Sequence, residues 1–293
     1  MEVEWTGGTP QAIADTFVGP GDHWFDAVAF GVRFDPVTAY SILTAALPDV
    51  SGVLTGEWDV PFVSLREVTL SGHQKGEYLG VPGTGEKVSF EAFCIFIFED
   101  VDGTPQLVGE RVYYDNGGIY QQMTQPGSTA GVGLAERYAG HPLRAADACA
   151  SVVDAQKALV DRHVKLENDH DWDGVVDTFV HGDTAFFDAV PLSSHQTGVA
   201  GVQGSYALLS GAVPDLAVEV LGGWDVPGFS FREVRLSGHQ TGPYGEAPAS
   251  GNAVDFKAAL VFQFDVSGDQ PVLLGERVYY DNLTVLKQIG AVE

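Results

Sequence analysis

Basic residues and cysteines are the scarce components of this sequence. Its 293 residues hold 15 Lys and Arg against 40 Asp and Glu, a formal charge of −25 at neutral pH, with a pI near 4.4. So acidic a chain is a poor partner for nucleic acid, whose phosphates are bound by clustered Lys and Arg, and for anionic membranes. The acidity suits solubility, including in a salt-rich setting. Only Cys94 and Cys149 are present. They make no disulfide framework, and neither stands in a CxxC or Cys/His spacing that holds zinc. Cys94, within the apolar run Phe93-Cys94-Ile95-Phe96, reads as a small core hydrophobe. No apolar run approaches the ~20 residues that span a bilayer, and the N-terminus lacks the basic stretch and apolar core of a signal peptide. A cytoplasmic location is therefore the default expectation. The HExxH, Walker and nucleophile-elbow patterns are missing too, so metal, nucleotide and serine-hydrolase readings lack their signatures, and no metal or cofactor is expected.

What is present is apolar material and repetition. An apolar share of 45%, with 17 Phe and 10 Tyr, fills two cores more readily than one at this length. The octapeptide Gly109-Glu110-Arg111-Val112-Tyr113-Tyr114-Asp115-Asn116 returns letter for letter at Gly275 to Asn282. That identity indicates a tandem duplication of whole domains. Phe25-Asp26-Ala27-Val28 matches Phe187-Asp188-Ala189-Val190 at an offset of 162. An insertion of four residues near Ser194-His195-Gln196-Thr197 moves the offset to 166, which then holds without a gap to the octapeptide. His195 in that insertion, and His23 in a loop, read as solvated. The expected domains are 1–125 and 146–293, separated by a linker over 126–145 whose start, Gln125-Pro126-Gly127-Ser128, has linker composition. Residues 146–166 carry Val152, Val153, Leu159, Val160 and His163 on roughly one face, an amphipathic helix with no equivalent before Thr9.

Thr9-Pro10 and Asp171-Trp172 are helix starts, and helices are expected over Val37–Leu47 and Gln203–Val213. Alternation over Ser64–Gly72 and Ser230–Gly238, the aromatic-rich runs Val88–Glu99 and Val254–Asp265, and the stretches Leu107–Tyr114 and Leu273–Tyr280 after turn compositions predict strands. Helices followed by antiparallel sheet make each half α+β.

Strand alternation sets Arg111, Tyr113 and Asp115 on one face and Glu110, Val112 and Tyr114 on the other; Arg277, Tyr279 and Asp281 repeat the first face. If that face lines a cavity, a guanidinium, a phenol and a carboxylate converge there, and desolvation raises the carboxylate pKa into a range suited to proton transfer. The alternative is that Asp115 and Asp281 end the strand and cap the next turn. His73 and Gln74, and their twins His239 and Gln240, follow a glycine at a strand end. A histidine there is free to meet a ligand at a pKa near neutrality, or else to bond into the corner. Trp58 and Trp224, each before Asp-Val-Pro, read as core or cavity wall.

The Gly-His strand end, the Gly/Pro-rich loops Gly76–Gly85 and Gly242–Gly251, the aromatic strand, the repeated Glu-Arg-Val-Tyr-Tyr-Asp-Asn and the closing Leu286-Lys287-Gln288-Ile289-Gly290 together resemble the SnoaL-like polyketide cyclases of the nuclear-transport-factor-2-like superfamily. The first half ends more loosely, in Ile119-Tyr120-Gln121-Gln122-Met123. The resemblance implies two cone-shaped α+β barrels, each a bent mixed sheet wrapped by helices, arranged as an intrachain pseudo-dimer, the chain being a monomer or homodimer. It implies a cofactor-independent cyclase or isomerase acting on a hydrophobic polyketide-like molecule, with Asp115 and Asp281 as general acid/base. Phe98 and Phe264 stand where the family often has a polar or basic residue, which implies a greasier pocket. Candidate catalytic residues are thus Asp115, Asp281, His73 and His239. Candidate substrate-binding residues are Arg111, Tyr113, Arg277, Tyr279, Gln74, Gln240, Trp58 and Trp224. The competing expectation is a non-catalytic small-molecule-binding or scaffold protein of the same fold.

Overall fold

The computed structural model describes residues 9–18, 22–131, 144–146 and 150–292. Cys149 and most of the segment 126–145 lie outside them. The chain divides into two compact units, Met1–Arg144 with Pro191–Ser193, and Ala145–Val190 with Ser194–Glu293. No described helix is long and apolar enough to cross a membrane.

In the first unit the Thr9 side chain accepts from the Ala12 N–H and Pro10 takes the first helical position, which starts helix α1 (Pro10–Ala14). It ends short of the Val18 expected from the sequence. Strands β1 (Trp24–Ala27) and β2 (Val32–Phe34) follow. Helix α2 (Pro36–Ala46) begins where the Asp35 carboxylate accepts from the Thr38 N–H at 3.0 Å. The chain then runs through β3 (Ser51–Val60), β4 (Val63–His73), β5 (Lys87–Val101) and β6 (Thr104–Tyr113), and closes with α3 (Asn116–Thr124). Strands β1–β3 went unread in the sequence because strands as short as β1 and β2, and a glycine-bearing edge strand such as β3, carry little alternation.

These strands form one six-stranded sheet in the order β2-β1-β6-β5-β4-β3. β1 runs parallel to β6 and every other pair is antiparallel. One face carries the core: Val68 and Leu70 of β4, Val88, Phe90, Ala92, Cys94 and Phe96 of β5, and Val112 of β6 pack with Ile13, Tyr40, Ile119 and Met123 from the helical layer. The expected cone-shaped barrel is not formed. A barrel needs its first and last strands bonded, and among the described residues β2 and β3 lie at opposite ends of an open sheet. Helices, not strand closure, cover the apolar face.

The second unit contains α4 (Ala150–Asn168), α5 (Trp172–Val176), β7 (Phe186–Ala189), β8 (Ser194–Thr197), α6 (Gly198–Ala212), β9 (Ala217–Val226), β10 (Phe229–His239), β11 (Ala253–Asp265), β12 (Val272–Tyr280) and α7 (Asn282–Gln288). Its sheet is likewise open, in the matching order β8-β7-β12-β11-β10-β9. Pairing jumps from Ile97–Gly109 to Phe98–Leu107, leaving Val108 as an extra residue, and the same jump in β12 leaves Leu274. Bulges of this kind re-aim the side chains that follow.

Pairing also relocates the insertion. Ala27 pairs with Val32 and Ala189 with Ser194, so the offset of 162 persists through β8. The additional residues lengthen the helix, eleven residues in α2 and fifteen in α6. His195 accordingly belongs to a strand. It bonds Asp188 at 2.6 Å, as Arg33 bonds Asp26 at 2.6 Å. The first half also ends like the second. The Ser89 N–H donates to Gln122 Oε1 and Gln122 Nε2 donates back to the Ser89 carbonyl, and Gln288 treats Asp255 in the same way.

The octapeptide glycine is needed for close packing. A Cβ on Gly275 would stand 2.3 Å from the Phe186 ring, and one on Gly109 2.0 Å from the Trp24 ring. Gly275→Ala is expected to lower stability by roughly 1–3 kcal/mol, as overpacking of a core does, measured by denaturant unfolding. Wild-type stability in this variant would contradict the packing described.

Candidate functional site

The first unit holds a cavity of about 100 Å³ between helix α2 and the covered face of the sheet. Its walls are largely apolar: Ile13, Phe25, Phe30, Leu43, Val88 and Phe90 among others. The polar groups at its surface are Tyr40, Thr44, Gln74, Tyr78, Glu110 and Tyr114. Alternation in β6 divides the octapeptide as expected, but the face that meets the cavity is Glu110, Val112 and Tyr114. The bulge at Val108 sets that phase just before Glu110. Tyr40 donates to Glu110 Oε2 at 2.5 Å, and the Glu110 carboxylate is buried. Farther along the strand, Tyr78 donates to Asn116 Oδ1 at 2.9 Å. With its one proton so placed, the Tyr78 oxygen accepts from Tyr114 at 3.3 Å.

The residues singled out in the sequence fall elsewhere, with one exception. Asp115 is the N-cap of α3, its oxygens accepting from the Gly117 and Gly118 N–H groups at 2.9 and 2.6 Å. Asp281 caps α7, accepting from the Thr284 N–H at 3.0 Å and its hydroxyl at 2.5 Å. Arg111 lies with its guanidinium 5.7 Å from the Trp24 ring centre, and Arg277 lies 5.9 Å from that of Phe186. Tyr113 pairs with Phe93 and Tyr279 with Ala259, both buried on the sheet face opposite the cavity. Trp58, paired with Leu65, is buried on that same face, and Trp224 takes the matching position beside Phe231.

His73 and His239 are half-exposed corner residues. The His73 backbone N–H and Nδ1 bond the two oxygens of Asp49 at 2.7 and 2.6 Å, and His239 repeats this on Asp215 at 2.7 Å in both bonds. These hydrogen bonds hold Asp49 and Asp215 below the usual carboxylate range. Gln74 does line the cavity. Its Oε1 accepts from the Thr84 N–H and hydroxyl, and its Nε2 donates to loop carbonyls including Gly76 and Val81. It therefore shapes the wall by pinning the loop. Gln240 does the same for its own loop through Gly242, Pro248 and Ser250.

The matching pair in the second unit, Tyr206 and Glu276, is joined at 2.6 Å, and here a third group is present. His163 of α4 is wholly buried, with Nε2 2.9 Å from the Tyr206 hydroxyl and Nδ1 2.7 Å from Thr178 Oγ1. Donor bookkeeping settles the protons. Thr178 gives its hydroxyl proton to the Val175 carbonyl, so it accepts from Nδ1–H. If Tyr206 donates to Glu276, its oxygen accepts from Nε2–H, and the ring is an imidazolium. Reversing the two bonds along Nε2, Tyr206 and Glu276 yields a neutral ring and a protonated Glu276. The two states differ by one proton passed through a phenol.

The electrostatics agree. Burial pushes the Glu276 carboxyl up to about 7, against the pull of the His163 charge. Burial opposes the charged form of His163, but the hydrogen bond and charge of Glu167 and the charge of Glu276 outweigh it, so the imidazole is held above its ordinary value. Burial first, and then the carboxylates, keep Tyr206 protonated well above its usual range. Phe179 and Phe262 enclose the ring edge-on at 5.6 and 5.4 Å. Glu110, Glu276, Tyr40 and Tyr206 were missed in the sequence, although both glutamates sit inside the repeated octapeptide and both tyrosines recur at its offset of 166.

Residues 157–289 match the sequence profile of the SnoaL-like polyketide cyclase family, so the second unit contains a SnoaL-like domain. Among solved structures, a protein from Jannaschia sp. CCS1 designated a SnoaL-like polyketide cyclase is 21% identical, with 50% of this chain and 100% of that one covered at a TM-score of 0.43. TsrD from Streptomyces laurentii is 19% identical, with 47% and 97% covered at a TM-score of 0.40. No curated protein matches the chain.

Two measurements follow from the geometry. Asp281→Ala is expected to cost about 1 kcal/mol by removing a helix cap, measured by denaturant unfolding; an unchanged midpoint would remove the capping role. The His163–Glu276 pair keeps a proton when folded that the unfolded chain releases, the glutamate between its ordinary 4.5 and about 7 and the histidine above its ordinary 6.5. Stability from this pair is thus greatest below the ordinary carboxylate range and falls as pH rises through neutrality. Thermal unfolding is expected at a lower midpoint at pH 8 than at pH 5.5, by several degrees, since about 1 kcal/mol shifts a domain of this size by roughly 2–4 °C. The difference should shrink in the double variant His163→Gln, Glu276→Gln. An equal pH dependence in that variant would count against the assignment.

Proposed function

We propose that the chain is a tandem of two SnoaL-like domains, and that the cavity of the first binds an apolar small molecule for cyclase- or isomerase-type acid/base chemistry. The observation that carries this reading is the Glu110 carboxylate, bonded by Tyr40 at 2.5 Å on the wall of a largely apolar cavity. A carboxylate there takes a proton from a carbon next to a carbonyl and returns it elsewhere. One positioned group contributes typically about 10²–10⁴-fold. The Tyr40 hydroxyl, its one proton donated to Glu110 Oε2, holds the carboxylate in a fixed direction.

The position of Glu110 on the cavity wall favours it over the aspartates that the family resemblance suggested. Asp115 and Asp281 hold helix N-termini with their oxygens, and a proton carrier at either position would have to release that cap. The polyketide-like character of the substrate rests on the SnoaL-like match of the second unit and on the apolar walls of the first. Gln74 and the loop it pins, together with the Tyr78–Tyr114 pair, close the far end.

Exchange of α-protons for deuterium in an enolisable aromatic ketone such as 2-tetralone, followed by NMR, tests the proposal. The wild-type chain should accelerate exchange, Glu110→Gln should lose about 10²-fold or more, and Asp115→Asn should retain most of it. Exchange unaffected by Glu110→Gln would refute the assignment. Binding of the ketone without exchange would favour the non-catalytic carrier instead.

A further inference from the structure

The side chains that line the cavity of the first unit are buried or half-buried, with two exceptions. Phe30 is 37% exposed and Ile42 40%. Phe30 ends the short 3-10 turn Val28–Phe30 between β1 and β2, and Ile42 lies midway along α2. Val32 and Val37, on the strand and helix between them, are exposed as well. Single apolar side chains on a surface call for no explanation, but several gathered at the rim of a cavity mark an opening.

The turn that carries Phe30 is lightly held. None of its three residues is buried. Its backbone is tied where Ala27 pairs with Val32 and where the Gly31 N–H donates to the Val28 carbonyl at 3.0 Å. Gly31 is left-handed at φ 63°, with nothing within 4 Å of the place a Cβ would take. The Phe30 ring meets Tyr78 nearly edge-on, 6.0 Å between ring centres at 76°. Tyr78 itself belongs to the wall, bonded to Asn116. One edge-to-face contact is modest in strength, so the Phe30 ring can leave Tyr78 at small cost.

We propose that small molecules enter and leave the first unit between Phe30 and Ile42, and that Phe30 is the gate. With its ring against Tyr78 the mouth is narrowed and a ligand is retained. Rotation of the side chain to another staggered position opens the passage without breaking a backbone hydrogen bond. This rests on the cavity being a small-molecule site and adds how its ligand is exchanged. A gate lies on the path in both directions, so removing it speeds association and dissociation together and leaves affinity nearly unchanged. Removing a side chain that is only part of the wall speeds dissociation alone. The ring is particular to this half, since the residue matching Phe30 at the offset of 162 is Leu192.

Exchange of 2-tetralone on the full chain, followed by NMR line shapes over a titration, yields both rate constants. Phe30→Ala should raise both by roughly 2- to 10-fold, the range of one edge-to-face contact, with Kd unchanged. Phe30→Leu should show the same sign with a smaller effect. The position is exposed, so both variants should unfold at the wild-type midpoint. Ile42→Trp should slow both rates by filling the mouth. Leu208→Trp, at the matching place on α6, should alter neither. A faster dissociation with unchanged association in Phe30→Ala would make Phe30 a wall residue and overturn the gate. Wild-type rates in both Phe30→Ala and Ile42→Trp would put the entrance elsewhere and refute the inference, while the small-molecule site stands. If the wild-type chain does not bind 2-tetralone, the small-molecule reading falls and the gate with it.

Discussion

A carboxylate buried on the apolar face of a sheet has to be paired, because an uncompensated charge there costs several kcal/mol. Much of each unit is arranged around that constraint. Glu110 and Glu276 point into the helical layer, and the tyrosine that bonds each of them comes from the helix lying across the sheet. The pairing ties α2 to β6 and α6 to β12 at one register. The bulges at Val108 and Leu274 set the phase that turns the glutamate inward and the following arginine to the opposite face. Gly109 and Gly275, next to the glutamates, let a ring from the neighbouring parallel strand lie against the backbone.

The same pair stands in two surroundings. In the second unit α4 brings His163 and Glu167 to it, and the aromatic rings of Phe179, Tyr206 and Phe262 pack around the imidazole. Proton position there is a property of the group, shared along Nε2, the Tyr206 hydroxyl and Glu276. In the first unit the pair borders a largely apolar cavity. A domain with a filled polar centre and one with an open cavity are different solutions built on one sheet topology.

Much of the architecture was legible in the chain. The central strands announced themselves through alternation, and the helix starts through Thr9-Pro10 and Asp171-Trp172, since these signals are local. The short strands β1, β2, β7 and β8 carry too few residues to show a period. The open sheet in place of a barrel was not legible either, because closure is a matter of whether two distant edges meet. Pairing of Ala189 with Ser194 moved the extra residues from a loop into the first turn of α6, a distinction that alignment of letters does not make.

The sequence by itself determined that the chain is repeated, that the octapeptide has two chemically different faces, and that Asp115 and Asp281 are able to cap. Repetition, alternation and capping depend only on neighbours in the chain. Which face of the octapeptide meets the cavity was decided by tertiary structure: helices cover the Glu110 side of the sheet, and the tyrosine that makes a buried glutamate tolerable arrives from 70 residues away. His163 likewise became a buried partner of Glu276 only through the packing of α4. A carboxylate acquires its function from the groups that desolvate it and donate to it, and those are assembled by the fold.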